Sequence, residues 1–179
     1  MLRSAIRYFS TDSDVIRRVI KTRAVSRLSM YDTNAGNFIT AVQNGEYKRA
    51  ELMVKTRQVD INGHTRSENT ALTDAAKRGD TKAVVFLIQK LGANPHASCD
   101  CPYHKTALHY ASENNHSDTV KALLQNGAQP NILDSRKYTA LDVARSDEIR
   151  SMLLMHGGKM CENLTASEKD AVKLLPTKM

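Results

Sequence analysis

Residues 105–131 read KTALHYASENNHSDTVKALLQNGAQPN, and the fold turns on how this stretch is punctuated. Val120, Leu123 and Leu124 recur at helical spacing, and Gly127 stands where a helix C-terminus calls for a left-handed residue. A shorter helical segment opens at Thr106, and a turn-rich passage follows Gly127. The unit is therefore a short helix, a longer helix and a turn.

The same unit recurs along the chain. TALTDAAKRGD begins at Thr70, TALHYASENNH at Thr106 and TALDVARSDEI at Thr139, at spacings of 36 and 33 residues. A degenerate copy, GNFITAVQNGE, begins at Gly36, 34 residues before the first of these. Each copy leads into a second apolar segment: AELMVKTRQVDIN, AVVFLIQKLGANPH, VKALLQNGAQPN and IRSMLLMHGG. A period in this range marks a stacked-repeat architecture.

The pattern resembles the ankyrin repeat over residues 36–157. The third copy carries it most fully, with KTALHYA for the T-P-L-H-x-A motif and NGAQPN for the turn into the next unit. Ala replaces Pro after each Thr, Thr73 and Asp142 replace the motif His, and the first copy lacks the Thr. The last copy is shortened between Ala144 and Glu148 and is polar in RSDEIRS, in the manner of a C-terminal cap. The resemblance implies an all-α solenoid with β-turn fingers. Four units satisfy the need for about three before a continuous core exists.

The resemblance also implies that function lies in protein binding. Contact positions of the family, carried onto this chain, fall at His64, Arg66, Ser67 and Asn69 on one finger and at Ser135, Arg136 and Tyr138 on another. On the inner helices they fall at Gln43 and Asn44, Lys77 and Arg78, and Glu113 and Asn114. With four cations in that set against Glu113, the implied partner is an acidic or mixed-charge protein, and Tyr138 is the expected aromatic anchor. His109, the His of TALH, corresponds to the family's structural His, tied with Thr106 at the helix start. His116 likewise stands at a helix start.

Composition agrees with a soluble helical domain. The 179 residues are 41% hydrophobic and 25% charged, and only 5% aromatic with no Trp, which disfavours an all-β sandwich. No apolar run approaches the length of a membrane span, and three cysteines make a poor disulfide framework, so an intracellular, reducing compartment is expected. The net charge of +7 is concentrated at the start: residues 1–30 hold seven basic and two acidic side chains. Stacking aromatics and a basic stripe are missing from the body, so nucleic acid is not the expected partner.

The chain divides into residues 1–32, a basic helical arm or targeting segment, 33–158, the repeat domain, and 159–179, a C-terminal helix or tail. In the arm, Val15, Ile16, Val19, Ile20, Ala24 and Leu28 form an apolar stripe fit to cover the first repeat. MLRSAIRYFS has the composition of a mitochondrial transit peptide as its alternative. In the tail, Thr165 and Glu168 can form a capping box, with Val172, Leu174 and Leu175 as apolar positions.

No phosphate loop, nucleophile elbow or H-E-x-x-H is present, so enzyme chemistry is not expected. The function expected is that of a scaffold or adaptor, as a monomer or a subunit of a hetero-complex. Alternatives are a mitochondrial accessory subunit, an effector delivered to a host cell, and a zinc-stabilised binding module.

The zinc alternative rests on PHASCDCPYH, residues 95–104, in the finger between the second and third repeats. His96, Cys99, Cys101 and His104 are the right ligand types for tetrahedral zinc, although Cys-x-Cys is tighter than the usual spacing. A redox pair is disfavoured in a reducing compartment. The plainer reading is an elongated recognition finger with two exposed thiols: ten residues run from His96 to Thr106, against eight from Asn62 to Thr70 and from Asn131 to Thr139.

Overall fold

The computed structural model describes residues 34–57, 59–64 and 68–173. Regular structure among them is helical apart from one antiparallel bridge between Ser98 and Thr106. The helices are α1 over 34–43, α2 (Tyr47–Lys55), α3 (Ala71–Arg78), α4 (Thr81–Gln89), α5 (Ala107–Glu113), α6 (Ser117–Gln125), α7 (Asp147–Met155) and α8 (Ala166–Lys173). A 3-10 turn at Cys161–Asn163 joins the last two.

Helices of seven to nine residues are too short to persist alone, so packing must hold them. An inner layer pairs α3 with α5, an outer layer runs α4 to α6 to α7, and each hairpin closes on itself through α3 with α4 and α5 with α6. Alanines 75, 76, 83, 107 and 111, all buried, let helix backbones approach, while Leu72, Leu87, Leu108, Leu123, Ile149 and Leu153 fill the volume between layers. Truncating one such leucine to alanine costs about 2–5 kcal/mol.

The boundaries of the units are set by hydrogen bonds that the motif Thr makes. Thr70 and Thr73 exchange backbone and hydroxyl bonds at the start of α3. At the start of α5, His109 Nδ1 accepts from the Thr106 N–H at 3.3 Å and lies 2.8 Å from its hydroxyl. Asp80 and Ser146 cap α4 and α7 by accepting the N–H of Ala83 and Ile149. Between α3 and α4, Gly79 has φ +76°, and a Cβ there would meet the His116 ring at 2.6 Å. The next repeat therefore packs directly on that glycine.

The fourth repeat departs from the expected plan. Residues 140–143 form a turn rather than a first helix. Seven positions separate Thr139 from the α7 cap Ser146, against ten from Thr70 to Asp80 and from Thr106 to His116, so two helical turns do not fit. Thr139 still pairs with Asp142, whose carboxylate accepts the Thr139 N–H and hydroxyl.

Beyond α7 the chain folds back over this short unit. The N–H of Lys159 donates to Asn131 and that of Cys161 to Asp142, and Leu164 is buried. Thr165 caps α8 with Glu168 as expected, and Lys159 bonds Glu168 at 2.6 Å. The Lys159 ammonium, with Thr165 second, holds the Glu168 carboxyl down to about 2. The arm at 1–32 and the apolar positions Leu174 and Leu175 lie outside the described residues, as does the Val172 side chain.

Candidate partner-binding face

Three fingers project from one side of the stack and are laced together by main-chain bonds. The Asp100 N–H donates to the Glu68 carbonyl at 2.7 Å, and the Ser135 N–H to that of Tyr103 at 2.9 Å. His64 Nε2 lies 2.9 Å from the Ser98 carbonyl oxygen. At the fingers' tight turns Glu68, His104 and Lys137 take φ of 62°, 45° and 66°. None is glycine, so each turn holds an L-residue in the left-handed region.

The longer second finger meets the third as the first meets the second. Its arms are bridged at Ser98 and Thr106, the Cys99 N–H donates to the Lys105 carbonyl, and a turn closes from His104 back to Cys101. Within it, Tyr103 offers its carbonyl to the Ser135 N–H, as Glu68 of the shorter first finger does to Asp100.

At that junction cations and aromatic rings alternate. Lys77 lies over the Tyr110 ring at 5.8 Å, and Lys105 over Tyr110 at 5.5 Å and Tyr103 at 5.7 Å. Arg136 stacks between Tyr103 at 4.7 Å and Tyr138 at 5.1 Å. The ladder runs across the second, third and fourth repeats, with Tyr103 49% and Tyr138 46% exposed. Such contacts contribute about 0.5–1 kcal/mol each at exposed sites and more when desolvated.

Most of the ladder's positive charge is matched from within. Lys105, only 6% exposed, donates to Glu113 at 2.5 Å. Arg136 donates through Nε and Nη2 to one oxygen of Asp134, whose side chain is fully buried. The other Asp134 oxygen takes the backbone N–H of Arg136 and Tyr138. That hydrogen bond to Asp134 raises the Arg136 pKa, and burial, with Glu113 and Glu68 nearby, raises that of the Tyr110 hydroxyl.

The expected contact residues divide between this face and the struts behind it. Tyr138, Arg136, Lys77 and Glu113 belong to the ladder, and Ser135 anchors Tyr103 through its backbone. Gln43 and Arg78 both donate to Asp74, joining the first two repeats. Asn114 donates its amide to the Lys77 carbonyl, which His116 Nε2 also meets at 3.1 Å. Asn44 is exposed. His64 reaches the second finger, and Asn69 lies at the end of the first, while Arg66 and Ser67 lie outside the described residues. Lys105, Tyr103 and Tyr110 were not among the expected residues. A signal for Lys105 exists, since it precedes the motif Thr just as Asn69 and Tyr138 do.

The Cys/His finger is not assembled as a metal site. Cys99 and Cys101, with Cα atoms 5.1 Å apart, turn their sulfurs toward each other, in the place of the redox pair that the sequence disfavours. Cys99 is buried and Cys101 half-buried rather than exposed, and the Tyr110 hydroxyl lies 3.5 Å from each sulfur. His104 Nδ1 lies 3.2 Å from the Cys99 carbonyl oxygen. His96 occupies the place of Asn62 and Asn131, and burial lowers its pKa. The four groups do not converge, and no cluster of three or more His, Cys, Asp or Glu side chains is poised for a metal among the described residues.

On the opposite side, α4 lines an apolar groove of about 410 Å³ with Val85 and Phe86 between Lys82 and Lys90. No helix of the described residues is long and apolar enough to cross a membrane.

Residues 38–134 and 95–163 match the family model for ankyrin repeats (3 copies). The chain belongs to the ankyrin-repeat family. Two curated relatives from Oryza sativa subsp. japonica are named as probable E3 ubiquitin-protein ligases. XBOS34 is 42% identical over 76 residues, 42% of this chain and 15% of its own length. XBOS31 is 33% identical over 103 residues, 58% of this chain and 22% of its own. The chain thus spans less than a quarter of either relative. Ankyrin repeats make this chain a protein–protein interaction module.

Proposed function

We propose that the partner docks on the cation–aromatic ladder formed by the second and third fingers with α5 and the end of α3. The observation that carries this is the convergence of Lys77, Tyr110, Lys105, Tyr103, Arg136 and Tyr138 from three repeats into one rigid strip with its two outer tyrosines exposed. Aromatic and arginine side chains dominate binding energy at protein interfaces, and a preformed surface loses little entropy on binding. With Arg136 and Lys105 already paired, the partner is of mixed charge rather than strongly acidic. The work of such a strip is that of an adaptor or scaffold.

A second reading is that the docked protein is brought to ubiquitin ligation. It is favoured by the relatives named as E3 ligases, in which the matched part is a minor share of the chain. The targeting alternatives depend on residues 1–10, outside the described residues.

Affinity purification with mass spectrometry tests both. Proteins captured by wild type should be depleted in the Tyr138→Ala and Arg136→Glu variants, and ubiquitin should be found on those same proteins when the second reading holds. Retention of every captured protein by both variants, each folded by circular dichroism, overturns the ladder as the docking strip.

A further inference from the structure

The ladder also indicates what kind of segment it accepts. We propose that Tyr103 and Tyr138 dock an extended, uncharged, proline-bearing segment of the partner in polyproline II form. This rests on the ladder being the docking strip.

Charge is the first argument. A partner carboxylate approaching Arg136 or Lys105 would also meet Asp134 or Glu113, which already hold those cations. An acidic segment thus gains little here.

Exposed aromatic surface is the second. Tyr103 and Tyr138 are the exposed aromatic side chains among the described residues. Prolines pack on such rings, and a polyproline II backbone leaves its carbonyls free for hydroxyl donors.

Spacing is the third. Both ring centres lie within 5.1 Å of one guanidinium carbon. They are therefore no more than about 10 Å apart, so a polyproline II segment, advancing ~9 Å per three-residue turn, spans both within about one turn. Residues within one turn of such a segment therefore reach both rings. The backbone that bears each ring is fixed in advance, at Tyr103 through its carbonyl on Ser135 and at Tyr138 through its N–H on Asp134. A segment that is itself stiff adds little ordering cost to a surface already ordered.

Fluorescence polarisation on the full chain tests this with two labelled twelve-residue probes, one of repeated Ala-Pro-Pro and one of Glu alternating with Gly. The proline probe should bind saturably and change less than two-fold between 50 and 500 mM salt. Tyr103→Ala and Tyr138→Ala should each weaken it at least five-fold while staying folded by circular dichroism at the assay temperature, and Tyr103→Phe, which keeps the ring, should retain part of the binding. Tighter binding of the Glu probe, absence of saturable proline-probe binding, or indifference to both alanine variants overturns the proposal. If Tyr138-dependent proteins are still captured from cells in that event, the docking strip stands and only its preference for proline falls.

Discussion

His109 ties the third repeat to the fourth, and acid should loosen it. Its ring is 1% exposed. Nδ1 faces the Thr106 N–H, which can only donate, so Nδ1 is an acceptor and the ring proton sits on Nε2, donating to the Tyr138 carbonyl at 3.0 Å. A second proton would have to enter at Nδ1, against that N–H. Burial lowers the pKa first and foremost. The Tyr138 carbonyl and Asp134 pull it upward without overcoming burial, and Lys105 and Arg136 push it further down. An unfolded His titrates near 6.5.

The sign follows from proton counts. Above about pH 6.5 neither state carries the proton and the clasp contributes in full; below it the unfolded chain binds a proton that the folded chain refuses. Stability should therefore fall with falling pH from about 6.5 toward the folded pKa, by up to about 1.4 kcal/mol per pH unit. His96, whose pKa burial also lowers, adds a smaller loss of the same sign. Glu46, Glu51 and Glu168, all held below the ordinary carboxylate value of 4.5 by hydrogen bonds to Arg49, Lys55 and Lys159, lose their contribution only below that window. Urea titrations followed by circular dichroism at pH 7.5, 6.5 and 5.5 measure the effect. His109→Thr installs the residue that the second repeat uses, keeps the local cap and deletes the reach to Tyr138. It should cost about 1.5–3 kcal/mol at pH 7.5 and flatten the loss between pH 6.5 and 5.5. Equal acid sensitivity in wild type and variant refutes this assignment.

Three further substitutions probe the fingers and the stack. Lys137→Gly removes an L-residue at φ 66° and should stabilise the chain by about 1 kcal/mol in thermal melts; unchanged or lower stability counts against strain in that turn. Asp134→Ala deprives Arg136 and two backbone N–H groups of a buried acceptor, so a loss of about 3 kcal/mol in urea titrations is expected, and a loss below 1 would refute it. Gly79→Ala combines φ +76° with a Cβ 2.6 Å from His116 and should cost at least about 1 kcal/mol, read from the same titrations, with a neutral result contradicting close repeat packing at that point.

What could be read from sequence was whatever repeats. Thr70, Thr106 and Thr139 fix the phase of the units, and Thr165 with Glu168 gives the last cap, because each acts within three residues of itself. The ladder could not be read the same way. Tyr103 meets Arg136 across two fingers, a pairing between units that the period within each unit does not record. Charges mislead for a related reason: Arg78 and Arg136 count as free cations until Asp74 and Asp134 are found beside them. The Cys/His pattern is another such case, since residue types and spacing do not record that the Cys99 and Cys101 sulfurs turn toward each other.

The position of the motif His shows how one site in the repeat is adapted to its neighbour. In the third unit His109 is long enough to donate to the Tyr138 carbonyl of the following finger. In the second, Thr73 bonds only within its own repeat, and the join to the next finger is made instead by His64, Asp100 and the Asn62 side chain that accepts from Asn94. In the fourth, the group that meets this position is the backbone N–H of Cys161, a donor rather than a carbonyl. A neutral imidazole with its proton on Nε2, as His109 carries it, would set donor against donor there. The carboxylate of Asp142 accepts that N–H as well as the N–H and hydroxyl of Thr139. The departure from the motif is thus explained by the polarity of what lies next: a finger offers a carbonyl and selects a donor, whereas the returning segment at 158–164 offers an N–H and selects an acid.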